Sequence, residues 1–359
     1  MKTGRNLTDL AAEIERRANA KRDLLAPVTK LRLDDDAVLR VGAGERFGIN
    51  KLAHAQLASY TSIPKQYYDR MLTANPALLA DNVNNWLNHS EYAKDTRMVR
   101  TLDGNVRAFL SDRYRPLENE DLAEAALPVL LDMDLWIVSC EITDLRLYIK
   151  AVDRNIHKDV PTGKKMGDSS HQFFDTVSPA IILSNSEVGA GRLSIETGVY
   201  TRACTNMAMI GANFKKHHLG AKAELLGEDV QHLLSDNTKR LTDQAVWAQV
   251  RDVIKSAFDE TKFAAVTAKL TGATEDKIET DVIEVVNKFA KRSALTEEVG
   301  GSILRRLIEG GDLTRYGLHA AVTRASQDVE DYDAATEMER LGGQVIEMPK
   351  QAWRELLAA

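Results

Sequence analysis

The stretch that decides the fold is residues 96–111, TRMVRTLDGNVRAFLS. Two short runs of alternating character flank Asp103-Gly104, and an Asp-Gly pair between such runs is the strongest short-range signal for a β-hairpin. Downstream, SDRYRPLENEDLAEAALPVL turns into a helix expected to begin near Asn119. LDMDLWIVSCEITDLRLYIKAVD follows with two more strand runs, in which Leu145, Leu147 and Ile149 alternate. The polar stretch RNIHKDVPTGKKMGDSSHQFFD has no apolar period and reads as a long loop, a kind of segment that commonly carries function. VSPAIILSNSEVGAGRLSIETGVYTRACTN then gives two further strands with a turn at Gly189-Ala190-Gly191. Hairpin, helix, hairpin, loop and hairpin in that order suggest a central antiparallel sheet with a helix on one face.

Upstream, residues 5–25 carry Leu7, Leu10, Ile14, Ala18 and Leu25 at helical spacing, with Asn6 and Thr8 competing as N-cap. Residues 28–49 break into short alternating runs that read as strands and are candidates to join the same sheet. KLAHAQLASYT, SIPKQYYDRML and NPALLADNVNNWLNH read as three helices, with Pro76 at the start of the last. From LSDNTKRLTDQAVWAQVRDVIKSAF onward, apolar positions recur every three to four residues to the end. The expected class is α+β: a mostly helical region with short strands over 1–95, a β-rich core over 96–222 and an all-helical region over 223–359. Strands and helices that segregate in this way argue against a doubly wound parallel sheet.

Charge is distributed unevenly. From residue 226 onward there are 17 Lys+Arg against 24 Asp+Glu, whereas the first 225 residues hold 30 against 29. A polyanion would therefore meet the first two thirds of the chain, through a local basic groove rather than bulk charge. No run of 18 apolar residues suggests a membrane span, and the polar N-terminus lacks the apolar core of a secretory signal. Two cysteines, Cys140 and Cys204, are too few for a disulfide scaffold, so a cytoplasmic location is expected.

No motif names a reaction. GAGERFG has the wrong spacing for a phosphate cradle, and no Ser-His-Asp, H-E-x-x-H or C-x-x-C pattern occurs. Cys204 near His217 or His218 admits a nucleophile reading, but a small core residue in the strand VYTRACTN is the simpler one, since cysteine is often fully buried. Basic residues cluster on the expected sheet edges and loops: Arg107, Arg113, Arg115, Lys164, Lys165, Arg202, Lys215, Lys216, His217 and His218. Phe174, Phe214 and Tyr200 are interleaved with them, the combination by which single strands are held on phosphate and base together. The competing chemistry is a magnesium or manganese site built from Asp175, Glu187, His217 and His218, which requires those groups to converge. The Asn-rich helix around Asn82, Asn84, Asn85 and Asn88 invites specific hydrogen bonds, since asparagine is a mediocre helix former.

Four segments together resemble a phage- and plasmid-borne family, domain of unknown function 932. They are AHAQLASYTSIPKQYYDRMLTANPALLADNVNNWL, VRAFLSDRYRPLENEDL, SPAIILSNSEVGAGRLSIETGVYTRACTN and YGLHAAVTRASQDVEDYDAATEMERLGG, within residues 50–345. Met207 departs from the glycine that commonly follows CTN in that family. The resemblance implies a mobile-element protein and no set activity. The leading expectation is a homo-oligomeric protein that binds nucleic acid, single-stranded DNA first, in annealing or recombination, without a cofactor. A metal-dependent nuclease and a non-catalytic factor binding a host protein are the alternatives.

Overall fold

The computed structural model describes residues 1–42, 44–164, 172–216 and 235–358. Asp103 and Gly104 both sit at positive φ, 49° and 76°, which lets a two-residue turn match the twist of its strands. The turn joins β5 (Thr96–Leu102) to β6 (Asn105–Ser111). This hairpin belongs to a first sheet ordered β1-β5-β6-β4-β3-β2, with β1 at Arg22–Pro27, β2 at Leu31–Leu33, β3 at Leu39–Val41 and β4 at Glu45–Ile49. Only β4 and β6 run parallel in it. Residues 28–49 thus join the Asp-Gly hairpin, and both lie apart from the later strands.

Three helices cover one face of this sheet: α2 (Lys51–Tyr60), α3 (Lys65–Ala74) and α4 (Pro76–Leu87). Leu57, Tyr68, Leu79, Val83 and Leu87 pack there against Leu31, Leu33, Val99 and Phe109. Asn75 caps α4 ahead of Pro76. Asn84 accounts for part of the Asn-rich helix: it accepts from the Leu33 N–H at 2.7 Å and donates to the Leu33 carbonyl at 2.8 Å, tying the helix to the outermost strand. Asn82, Asn85 and Asn88 return to carbonyls one turn back.

The second sheet is antiparallel throughout, in the order β12-β11-β10-β8-β7. Its strands are β7 (Trp136–Ile142), β8 (Leu147–Val152), β10 (Phe174–Asn185), β11 (Leu193–Thr201) and β12 (Asn206–Lys216), and the short β9 (Lys158–Pro161) pairs with the start of β10. That strand lies inside the stretch expected to be all loop. Strands 96–222 therefore do not form one sheet; the division falls between β6 and β7, with α5 (Asn119–Asp132) at the crossing. On one face α1 (Leu7–Ala20, capped by Asn6), α5 and α6 (Asp236–Ala257) bury Ile149, Ile181, Leu183 and Ile195.

The C-terminal helices α7 (Glu260–Ala273), α8 (Val282–Arg292), α9 (Glu297–Gly310), α10 (Arg315–Ala325), α11 (Tyr332–Glu347) and α12 (Lys350–Leu357) have a core of their own and dock on β12. Together with the two mostly antiparallel sheets they make the fold α+β with a helical C-terminal region. Among the described residues no helix is long and apolar enough to cross a membrane.

Helix α11 lies directly on the β12 backbone. A Cβ on Gly343 would sit 1.8 Å from the Met209 carbonyl oxygen, so only glycine permits this approach, and it covers an edge strand that would otherwise be open. Gly343→Ala is expected to cost at least about 1–3 kcal/mol, because the obstacle is backbone rather than a movable side chain; a urea midpoint equal to that of the native chain would refute the contact.

Two buried histidines impose a pH limit. His54 hydrogen-bonds Tyr68 at 2.8 Å and His319 meets the Gly342 carbonyl at 2.8 Å. Burial brings both imidazoles down from 6.5 to about 4, so both are neutral in the folded chain. The unfolded chain takes up their protons first, so this stability is full above about pH 6.5 and is lost as pH falls towards 4. Melting temperature should drop through that window, and His54→Gln should flatten the drop.

Candidate functional site

Both places where the chain passes between the sheets carry charge. At the first, α1 ends at Lys21 and β1 begins with Arg22 and Asp23. At the second, β6 runs through SDRYRPLE into α5, whose N-cap is Glu118. Opposite them stands the β10–β11 turn, residues 185–189, NSEVG. The register of β5 and β6 slips after Arg100, leaving Arg107 as an extra residue in β6. Such a bulge re-aims a side chain; here it turns Arg107 away from the helix-covered face towards the turn.

The result is a buried ionic seam. Arg100, with 0% of its side chain exposed, donates to Asp23 at 2.9 Å, to Glu118 at 2.6 Å and to the Glu187 carbonyl at 2.7 Å. Arg107 donates to Glu187 at 2.7 Å, and Lys21 reaches Glu118 at 2.9 Å. The other Glu187 oxygen accepts the Asn119 backbone N–H at 2.8 Å, so it occupies the positive end of α5. Asn185 holds the Leu117 carbonyl and the Asn119 side chain at 2.7 and 2.9 Å.

Burial opposes ionisation of Glu187, but Arg107 and the hydrogen bonds from Glu118 and Asn119 outweigh it and bring its carboxyl down to about 2. Burial pushes Glu118 the other way; Arg100 offsets part of that rise and the Glu187 charge adds to it. The neighbouring cleft between Ile14, Lys21, Asn119 and Ile142 is too tight to admit a water molecule. This seam binds protein to protein and leaves no room for a ligand.

The expected site residues accordingly divide. Arg107 is buried in an ion pair, so it cannot reach a phosphate. Arg115 is half-buried and paired with Asp243 of α6. Tyr200 is buried, and Phe214 packs against the second-sheet core, so neither offers a ring face for stacking. Arg113, Lys164, Lys215 and Phe174 are exposed. Lys165, His217 and His218 lie outside the described residues, as does the Lys216 side chain. The proposed metal pair separates: Asp175 lies at the start of β10 and Glu187 beyond its end, so Asp175 stands roughly 33 Å from Asn185 alone. Asp175 instead accepts the Tyr316 hydroxyl at 2.9 Å. Among the described residues no three His, Cys, Asp or Glu side chains gather as a metal would require.

Sequence reading picked out Arg202 but missed Trp136 and Arg154, with which it forms a surface cluster at the far end of the second sheet. The Arg154 guanidinium lies 3.5 Å above the centre of the Trp136 ring, which is 37% exposed. Trp136 rests edge-on against Tyr200 at 5.7 Å. Beside them Arg202 donates to the Ser178 hydroxyl at 3.0–3.1 Å and to the Arg154 carbonyl at 2.6 Å. Among the described residues no carboxylate pairs with either guanidinium, and His157 and Lys158 are exposed nearby in sequence. The available signal was an arginine just after an apolar strand, LYIKAVDR, whose partner strand opens with tryptophan.

Comparison with family models, characterised proteins and solved structures finds no match for this chain.

The seam makes a direct prediction. Glu187→Ala strands Arg107 in the interior and should cost about 3–5 kcal/mol, whereas replacing both Arg107 and Glu187 by methionine should recover most of that loss. Denaturant unfolding of the single and double variants measures the difference; equal losses would mean the pair is not coupled.

Proposed function

We propose that the protein binds single-stranded nucleic acid, DNA in the first instance, and acts by holding the strand rather than by cleaving it. The observation that carries this reading is the Arg154–Trp136 stack with Arg202 fixed beside it. A guanidinium stacked on indole has lost little freedom still to be paid on binding and keeps its N–H groups for phosphate. The guanidinium laid on the half-exposed indole presents a flat cationic plane on which a base can stack, and such stacking tolerates any sequence. The surplus of acid elsewhere in the chain makes carboxylate-free arginines at one place more telling.

The resemblance to the phage- and plasmid-borne family adds a setting in which single strands are annealed or recombined. Self-association through the helical regions suits that work, since annealing proteins assemble along a strand. No separate observation favours a metal-dependent reading, because Asp175 and Glu187 sit at opposite ends of β10.

Fluorescence anisotropy with a labelled oligothymidylate should show binding that weakens with salt. Trp136→Ala should weaken it by roughly 5- to 150-fold, the range for loss of one base stack. Arg154→Ala with Arg202→Ala should flatten the salt dependence by about 0.7 per lost phosphate contact. Absence of binding at low salt would overturn the proposal, and a stable complex with a host protein in its place would favour a protein-binding factor.

A further inference from the structure

We infer a second strand-binding station on the first sheet, built on Arg97 and Trp86; this rests on the nucleic-acid reading above. Four cations lie over aromatic rings in the described structure. Two of them, Lys150 and Arg315, are buried and paired with Glu339 and Asp276. The other two, Arg154 and Arg97, pair with no carboxylate among the described residues.

Arg97 lies on β5, its guanidinium 4.4 Å from the Tyr60 ring centre and 5.1 Å from that of Phe109, two rings that also touch each other at 5.4 Å. Its Nε is buried without a partner, whereas its two terminal nitrogens are not among the buried, unpartnered atoms and make no hydrogen bond to the protein, so they face solvent. Asp95 and Asp112 lie within electrostatic reach, but Asp95 is engaged by the Tyr60 hydroxyl at 2.8 Å. The guanidinium therefore rests against a pair of touching rings with its outer edge unused.

From this cation a row of rings runs outward. Tyr60 meets Tyr92 at 4.9 Å, Tyr92 meets Trp86 at 6.4 Å, and Trp86 meets His89 at 5.5 Å. Trp86 is 39% exposed and His89 is exposed. Core packing explains Tyr60 and Phe109, which belong to the first-sheet core. It does not explain an open indole at the outer end of a row that starts at a cation with no ion pair among the described residues. On the second sheet Arg154 lies directly on the exposed Trp136, whereas here two tyrosines separate cation and indole; both arrangements suit one ligand chemistry, an anionic backbone with flat bases. A single strand long enough to engage both stations would be held at two points, and the second contact would raise affinity through effective concentration.

The test uses the full chain with short and long oligothymidylates. Trp86→Ala, and separately Arg97→Gln with its fold checked by circular dichroism, should weaken the long strand by roughly 5- to 150-fold and leave the short one, held at the Trp136 station, nearly unchanged. Photocrosslinking of a bromouracil-substituted strand should give adducts at Trp86 or Tyr92. Unchanged long-strand affinity with adducts confined to residues 136–202 would overturn the second station and leave the first standing. No binding of either strand by the native chain would instead overturn the nucleic-acid reading itself, and the second station with it.

Discussion

The structure depends on the buried pairing of Arg100 and Arg107 with Glu118 and Glu187. Each sheet has its own helical cover and its own core, and among the described residues only a small apolar cluster, Ala108 and Leu110 of the first sheet against Val188 of the β10–β11 turn, reaches across. The ionic seam adds direction to that contact. Both passages of the chain between the sheets contribute to it, Lys21 and Asp23 from one and Glu118 from the other, and the β10–β11 turn closes it. Buried charges of this kind add little net stability over apolar substitutes. Their contribution is selection of arrangement: any shift of one sheet against the other leaves a guanidinium in the interior without its carboxylate, which is far costlier than a lost apolar contact.

A similar device joins the C-terminal helices to the second sheet. Lys150 on β8 and Glu339 on α11 are both fully buried and meet at 2.7 Å, with Thr336 and the Tyr332 ring around the lysine. Arg340 on the next position grips Glu196 of β11. The close approach of Gly343 to the β12 backbone sets the distance, and these pairs set the rotation. Several of the segments singled out in the sequence meet at these places. SDRYRPLEN touches NSEVG at the seam, and CTN touches the α10–α11 region, where Asn206 is held by Gln327 at 2.6 Å and Thr323 at 3.4 Å. In this chain those motifs therefore serve assembly of the fold.

Most elements were legible because they depend on local rules. The Asp-Gly turn, the helix starting at Asn119, Pro76 after its Asn75 cap and the periodic C-terminal helices all follow from backbone preference and apolar spacing. The split into two sheets was not legible, because period-two alternation marks a strand without naming its neighbours. Arg107 misled for a related reason. Alternation gives it a face only if the register is regular, and the bulge after Arg100 reverses that face. Lys150 in LYIKAV falls out of phase with Leu147 and Ile149, so alternation alone gives it the solvent face; only the docking of α11 there, with Glu339, explains its burial. Trp136 and Arg154 are 18 residues apart in sequence and meet through the pairing of Trp136 with Val152.

The buried and the exposed arginines of this protein differ in their partners. Arg100, Arg315 and Arg340 are held by carboxylates and carbonyls, Arg107 is held by Glu187 through one terminal nitrogen while its other two guanidinium nitrogens stay buried without a partner, and each joins elements that would otherwise part. Arg154 and Arg97 are held by rings instead, and a ring restricts a guanidinium without consuming its hydrogen-bond donors. Carboxylates outnumber cations in this chain, so any arginine brought near the acidic majority would be neutralised. Stacking on an aromatic face keeps a positive charge available on such a surface. On the proposed reading, this is how a chain in which acid outnumbers base would present anion-binding points without a basic groove: the charge sits at a few fixed positions, each against an aromatic ring.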